Sequence, residues 1–368
     1  MTYATVKPYD LSVFCMSSEL SASGLRRRFA NAFQPRPWIY WGDLLASAGV
    51  GWTAFGMGVK VPFGSFVYMT VTAVAAVALL RAAIFIHELA HLKRGALPGF
   101  EAAWHFVVGL PFMLPSLMYV GPHADHHRQA TFGTGNDPEY VSLARWSRLR
   151  IAWFVIAVIV VPVLLALRWG VLGPCSYLIR PLRRLVVGRA STLVINPHYR
   201  RPLPTAQQAV RWRVQEGAAA LTFWLSIVGW LAGWIPPRGF FQWYVVAAGV
   251  VLINQLRTLA AHRYDNDGLP LDVTGQLFDS VTLSGRPIPT VCAAPLGLRY
   301  HALHHFLPTV PYHSLGTLHR HLLAELSPDS PYRRTQRSGI LATVRELLVR
   351  QESHKAKALG VNRVAGKA

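Results

Sequence analysis

"FVYMTVTAVAAVALLRAAIFIHELAH", residues 66–91, decides the class of fold. Its first 21 residues are apolar apart from Arg81 and a few hydroxyls. At about 1.5 Å per residue, a helix of that length crosses a hydrocarbon core about 30 Å thick. Arg81 reads as a snorkelling or paired residue, although a charge inside a span is also a candidate site. The last five residues, His87-Glu88-Leu89-Ala90-His91, set two imidazoles i, i+4 on one face where that helix ends. They fit H-E-x-x-H, in which two histidines bind zinc and the glutamate activates a water for peptide hydrolysis. They equally fit H-x-x-x-H, one box of a larger histidine cluster in which Glu88 carries no chemistry. The stretch alone does not choose.

The composition agrees with a membrane protein. Of 368 residues, 52% are hydrophobic and only 15% charged, and the mean hydropathy is positive. These values, with long apolar runs, mark a polytopic membrane chain. The net charge of +20 comes from 37 basic and 17 acidic residues. The basic residues flank apolar spans, as cytoplasmic loops do, so nucleic acid is not expected as a partner. Cys15, Cys175 and Cys292 lie far apart without a C-x-x-C pair, which argues against a disulfide framework or a thiolate metal site. "MTYATVKPYDLSVFC" at the start lacks a signal-peptide pattern, so insertion relies on an internal span.

Three regions follow. Residues 1–37 form a polar N-terminal segment, with "LRRRF" at 25–29, expected in the cytoplasm. Residues 38–326 form the membrane domain, and 327–368 a basic tail with an amphipathic helix at 341–353. Within the domain a first span is expected at about 39–58, opened by Trp38, Tyr40 and Trp41 and carrying Asp43. A second covers 64–86. "AAWHFVVGLPFMLPSLMYV", 102–120, is broken by Pro111 and Pro115 and reads as re-entrant or interfacial. The stretch 151–173 is long enough to span. Stretches 217–235 and 240–261, joined by "IPPRGF", read as a helical hairpin. Residues 175–215 hold eight arginines and no acid, which the positive-inside rule places in the cytoplasm. To keep them there, 151–173 is expected to dip in and return, bending at Pro162. The expected fold is an all-α integral membrane protein, with about four transmembrane helices and a cytoplasmic helical cap holding a histidine-rich dimetal site. A bacterial inner membrane is the expected location, with the active site facing the cytoplasm.

Nine of the 15 histidines fall in a pattern. His87 and His91 form the first box. "HADHH" supplies His123, His126 and His127, and "HALHH" supplies His301, His304 and His305. His262 closes the last hairpin in "RTLAAHRYDND". On a helix, residues three and four apart share a face, so each box aims imidazoles at one region. Nine exceed the three protein ligands of a catalytic zinc, whereas two metals at four or five nitrogens each would use them all. Imidazole suits iron, copper and zinc alike. His105, His198, His313, His319, His321 and His354 stand outside the pattern. The zinc protease reading leaves both H-x-x-H-H boxes unexplained and stays only as a remote alternative. A non-catalytic metal carrier would want polar residues along the spans, which are mostly plain apolar. Glu88 is then an acid that supports a ligand or lies on the surface, rather than a general base.

The three boxes together resemble the membrane fatty acid desaturase family. "HADHHRQATFGTGNDPEY", 123–140, looks like that family's second box and the Asp-Pro element after it. "YHALHHFLPTVPYHSL", 300–315, is similar to its third box and the H-H-x-x-P-x-x-P-Y run that follows. The resemblance covers about residues 38–320. It implies two non-haem irons held by His87, His91, His123, His126, His127, His262, His301, His304 and His305. It also implies O2 as co-substrate and a fatty acid, acyl-lipid or acyl-thioester substrate. Electrons would come from a ferredoxin-like or cytochrome b5-like donor, and no cytochrome b5-like segment is recognisable at either end. The implied reaction is double-bond formation first. Hydroxylation, or decarboxylation of a free fatty acid to a terminal alkene, is the alternative at the same site. One departure stands out: where the acyl-CoA branch of the family has an asparagine four residues before the histidine matching His262, this chain has Thr258. The basic stretch 175–215 could meet an acidic donor or an anionic head group, or simply reflect topology beside anionic lipid.

Overall fold

The computed structural model describes residues 21–193 and 195–365, with side chains through Glu352. Most of the N-terminal segment, including Cys15, lies outside the described residues. Helix α1, Pro37–Lys60, opens with proline in its first turn, where the missing N–H is no loss. Ser65 caps the next helix through Tyr68 N at 3.1 Å. That helix, α2, runs Phe66–His91 and is one of three in the described residues that are long and apolar enough to cross a membrane. The other two are α4, Arg148–Leu178, and α6, Pro237–Thr258. Helix α3, Val120–His126, is short. Helix α5, Ala206–Leu231, is of spanning length but starts with polar residues behind a Thr205–Gln208 capping box. It joins α6 through residues 232–236.

α1 and α2 meet through small residues, Ala48, Gly51 and Ala54 against Ala75 and Leu79. A Cβ on Gly51 would stand 2.5 Å from Leu79 Cγ and 3.2 Å from Leu79 N. Close backbone approach of this kind is how helices associate where solvent supplies no hydrophobic drive. Arg81 is paired rather than snorkelling. It grips Asp43 of α1 with two guanidinium nitrogens, and Tyr312 OH donates to the same carboxylate at 3.0 Å.

Residues 100–118 do not cross as one helix. A short helix, Phe100–Trp104, runs into a π-turn at His105–Gly109 and then an irregular stretch. Irregular backbone among apolar surroundings needs partners for its carbonyls. Three indoles supply them: Trp52 Nε1 to Val107 O at 2.7 Å, Trp243 Nε1 to Pro111 O at 2.8 Å, and Trp169 Nε1 to Met113 O at 2.7 Å.

The expected reversal at Pro162 does not occur. α4 is a single helical rod of 31 residues, with a 3-10 stretch at Ala157–Val160 and a π-turn at Arg168–Leu172. The two residues before the proline keep right-handed helical backbone, Val160 at φ −80° and Val161 at φ −56°. The tightened turn accommodates the ring, so the rod can kink but not turn back. It leans first on α6, where Gln255 Nε2 donates to Phe154 O at 3.2 Å, then on α5, where Trp224 Nε1 donates to Gly170 O at 3.2 Å.

A layer of short elements gathers where α2 and α6 end. Helix α7, His301–Phe306, lies here with α3. Strand β1, Thr282–Leu283, pairs in parallel with β2, Gln336–Arg337, the one strand pair in an otherwise helical fold among the described residues. Helix α8, Ile340–Ala365, follows. Its Leu347 is buried with Phe132, Tyr140, Leu143 and Leu259, so this part of the C-terminal region packs against the histidine-bearing layer.

Candidate metal centre

The chain brings all nine pattern histidines to one place. His87 and His91 stand on the last two turns of α2. A bond from His87 N to Ile84 O at 2.9 Å tightens the helix just ahead of them. His123, His126 and His127 come from α3 and its C-cap, and His301, His304 and His305 from α7. His262 follows α6, fixed by an antiparallel bridge to Ser280.

They sort into two groups, His87, His91, His123, His127 and His304 in one, and His126, His262, His301 and His305 in the other. Within each group the ligand nitrogens all lie within 4.8 Å of one another. The i, i+4 pairs His123/His127 and His301/His305 stay together, because that spacing holds one helix face. The middle histidine of each H-x-x-H-H box, His126 or His304, turns to the other group. Each box therefore serves both.

The nitrogens fit metal better than they fit each other. Nε2 of His123 is 2.9 Å from that of His91 and 3.1 Å from that of His127, and His127 to His304 is 3.0 Å. In the second group His262 to His301 is 3.0 Å and His301 to His305 is 3.2 Å. At a metal–nitrogen distance of about 2.1 Å, neighbouring ligands of an octahedron stand about 3.0 Å apart, and those of a tetrahedron about 3.4 Å. The spacings match the higher coordination number, as does a group of five. Both ring nitrogens of His87 are buried without a hydrogen-bond partner, and an unsatisfied buried nitrogen costs about 1–3 kcal/mol. A metal in the first group gives His87 a partner. Burial pushes His123, His127, His301, His304 and His305 well below the ordinary histidine range. Neutral imidazoles with free lone pairs are what ligation requires.

Carboxylates stand behind the rings. Asp137 Oδ1 lies 2.8 Å from His126 Nδ1, and Asp137 also accepts from Gly133 N at 2.8 Å and Glu139 N at 2.9 Å. Burial disfavours charge on His126, but Asp137, with Glu139 and Asp279, raises the histidine above its ordinary pKa. Glu139 Oε1 lies 2.8 Å from His123 Nδ1, with Tyr119 OH donating to its other oxygen at 3.2 Å. Burial pushes the Glu139 carboxyl up to about 7. Asp279 stands 3.3 Å from His262 Nδ1 and accepts from Tyr140 OH at 3.0 Å. Asp137 and Glu139 each fix a tautomer by taking Nδ1–H, leaving Nε2 for metal, whereas His262 Nδ1 meets Ser280 Oγ at 3.2 Å.

The family profile described as Fatty acid desaturase matches residues 65–337, most of the chain and every one of these histidines. The chain belongs to the fatty acid desaturase family. It is also 37% identical over 326 residues, 88% of this chain and 92% of the relative, to a protein named Ceramide hydroxylase from Caulobacter vibrioides (strain NA1000 / CB15N). No solved structure matches it. It is a membrane oxidoreductase of the desaturase family, with histidine clusters able to hold metal.

For a desaturase-family chain, Glu88 is readily explained. It is buried, accepts from Tyr40 OH and from Tyr312 N at 3.3 Å, and its other oxygen is 3.7 Å from His87 Nδ1. It ties α2 to α1 and to the run after the third box, and that distance is too long for a hydrogen bond to His87. The histidines left out of the pattern also find other work. His105 Nε2 accepts from Ser116 N at 3.0 Å, His313 Nε2 from Arg36 N at 3.2 Å, and His319 Nδ1 meets Tyr332 OH at 2.7 Å. The side chain of His354 lies outside the described residues. Glu139, Asp279, Tyr119 and Tyr140 were not foreseen as parts of the site. The Asp-Pro element after the second box was the available pointer to Asp137 and Glu139.

Proposed function

We propose that this chain is a di-iron, O2-dependent lipid oxidase and that it hydroxylates a ceramide-like N-acyl lipid. The likeness to the Caulobacter ceramide hydroxylase across 88% of this chain carries the reading. In this reading His87, His91, His123, His127 and His304 hold one iron, and His126, His262, His301 and His305 the other. Bound irons supply reductive O2 activation strong enough to take hydrogen from an unactivated C–H bond. The chain's own residues hold the centre rigid and dry. Asp137, Glu139 and Ser280 lock three of the imidazoles, those of His126, His123 and His262. Phe132 packs 5.0–5.5 Å from the rings of His126, His262 and His305, which excludes water from that side. Overall, R–H, O2, two electrons and two protons give R–OH and water.

A second reading, double-bond formation in an acyl chain, is supported by the family profile's description. It takes the same O2, electrons and protons, removes two hydrogens and yields two waters. Loss of the carboxyl of a free fatty acid as CO2, leaving a terminal alkene, is a third outcome of the same chemistry. We further propose four crossings, α1, α2, α5 and α6, with α4 lying along the membrane without crossing it despite its length, and the histidines at the cytoplasmic face of a bacterial inner membrane. A ferredoxin-like or cytochrome b5-like protein would supply the electrons.

The test is expression in a ceramide-producing host that lacks the gene, beside the His305→Ala variant. Cellular lipids are profiled by liquid chromatography–mass spectrometry, and fatty acids and volatiles by gas chromatography–mass spectrometry. A ceramide gaining one oxygen only with the unaltered chain is the expected result. A new double bond, or an alkene one carbon shorter than a cellular fatty acid, overturns hydroxylation in favour of the corresponding alternative. No change in any lipid, with iron bound and a donor present, overturns all three.

A further inference from the structure

One face of α6 packs against α2. Val246, Val250 and Ile253 belong to the same apolar cluster as Ala75, Leu79 and Ala83. One turn beyond Ile253 on that face stands Arg257, at the end of α6 nearest the histidines. Its charge lies within electrostatic reach of His87 and Tyr119, and equally of His301, Tyr264 and Glu139. Arg257 is in the last turn of α6, five residues before the ligand candidate His262.

Arg257 is only partly buried. Among the described residues its hydrogen bonds go to Asn254 Oδ1 at 3.1 Å and Thr258 Oγ1 at 3.3 Å, and no carboxylate pairs with it. Thr258 in turn donates to Asn254 O at 3.0 Å, and Tyr264 OH to Thr258 O at 2.6 Å. The residue that departs from the acyl-CoA branch thus helps aim an arginine. A fixed cation beside a cationic metal centre is costly, and guanidinium has no lone pair with which to ligate. What it retains is a planar fork of unused N–H donors, suited to an acceptor oxygen.

We propose that Arg257, aimed by Asn254 and Thr258, receives the acyl carbonyl oxygen of the N-acyl lipid and so sets which carbon faces the metals. This rests on the hydroxylase reading above. A saturated chain is a row of identical methylenes that an apolar tunnel cannot count, since each is worth only about 0.8 kcal/mol wherever it sits. Register has to be read at the polar end. The amide carbonyl is the polar group nearest the acyl carbons, and Arg257 is a donor near the histidines without a protein acceptor for all its N–H groups.

The test uses the full chain in phospholipid nanodiscs with N-palmitoyl-dihydrosphingosine, a ferredoxin, its reductase and NADPH. Arg257→Met and Arg257→Lys are compared with the unaltered chain. Iron content, the rise in Tm on adding the lipid, KM against kcat, and the position of the new oxygen are read. Arg257→Met is expected to keep its iron and lose the lipid-induced rise in Tm. Its kcat/KM should fall about tenfold to a hundredfold, as for a lost hydrogen bond to a charged donor, with oxygen spread over more than one carbon. Arg257→Lys should recover part of the rate. Unchanged kcat/KM and a single product carbon in Arg257→Met overturn the inference. So does equal iron loss in both variants, which would make Arg257 part of the metal scaffold. If the unaltered chain leaves this lipid untouched while holding iron, the proposed function falls and the inference with it.

Discussion

Asp137 shows how much of the centre depends on a side chain that does not face the metals. It is fully buried, takes two backbone N–H groups from its own turn, and spends its remaining capacity on His126 Nδ1. In Asp137→Asn the new amide can point an N–H where an acceptor is needed, freeing His126 to rotate or change tautomer. Loss of such a partner weakens metal binding about 10- to 100-fold. Chelator competition on the purified variant should show that drop, and wild-type iron retention would remove Asp137 from the site. The nine histidines were legible in the sequence because i, i+3 and i+4 spacing survives any tertiary arrangement. Their sorting into five and four was not, because which ring of a box crosses to the other group depends on how α3 and α7 face each other. The acids were legible only where local: Asp137 and Glu139 follow the second box directly, whereas Asp279 reaches His262 through a bridge that forms only in the folded chain.

At the scale of elements, the arginine-rich stretch that looked unpaired in sequence finds its acid just past its end. Glu216 of α5 is buried and binds Arg168 at 3.0 Å and Arg183 at 2.7 Å, with Tyr177 OH on the same carboxylate. This cluster holds the last turns of α4 against α5. Hydropathy reports that α4 is apolar, not where it goes. The polar contacts at its ends decide its path, which is why the sequence supported a dip that the backbone does not make. Removing one member of a buried ion cluster strands the others, at about 3–5 kcal/mol. Glu216→Ala is therefore expected to lower the thermal midpoint in detergent sharply, since the Arg168 side chain is only 4% exposed. Arg211→Ala, which removes the half-exposed pair with Glu101, should cost less than about 1 kcal/mol. Equal effects would show that the Glu216 cluster holds nothing in place.

At the scale of the whole molecule, topology and metal are one problem, because the ligands come from stretches at 87–91, 123–127, 262 and 301–305 that must all reach the same side. The four crossings proposed for α1, α2, α5 and α6 would achieve that. They put the 232–236 connection opposite the histidines, so a reporter inserted at Gly233 should read periplasmic and one after Glu352 cytoplasmic. The same side for both would refute the arrangement. Metals bound in the two groups would then act as the knot. Without them, the imidazole nitrogens about 3 Å apart have only each other and those of His87 have no partner, so the ends of α2, α3, α6 and α7 lose their common anchor. A ligand that binds only the folded state stabilises it by RT ln(1 + [L]/Kd), about 2.7 kcal/mol at a hundred times Kd. Stripping the protein with a chelator at constant pH should lower its Tm, and titrating ferrous iron back should raise it progressively with concentration. Because every H-x-x-H-H box serves both groups, His126→Ala should lose part of the iron of the five-histidine group as well as that of its own. A variant that keeps one full iron per chain and the unaltered Tm would show instead that the two groups fold and bind independently.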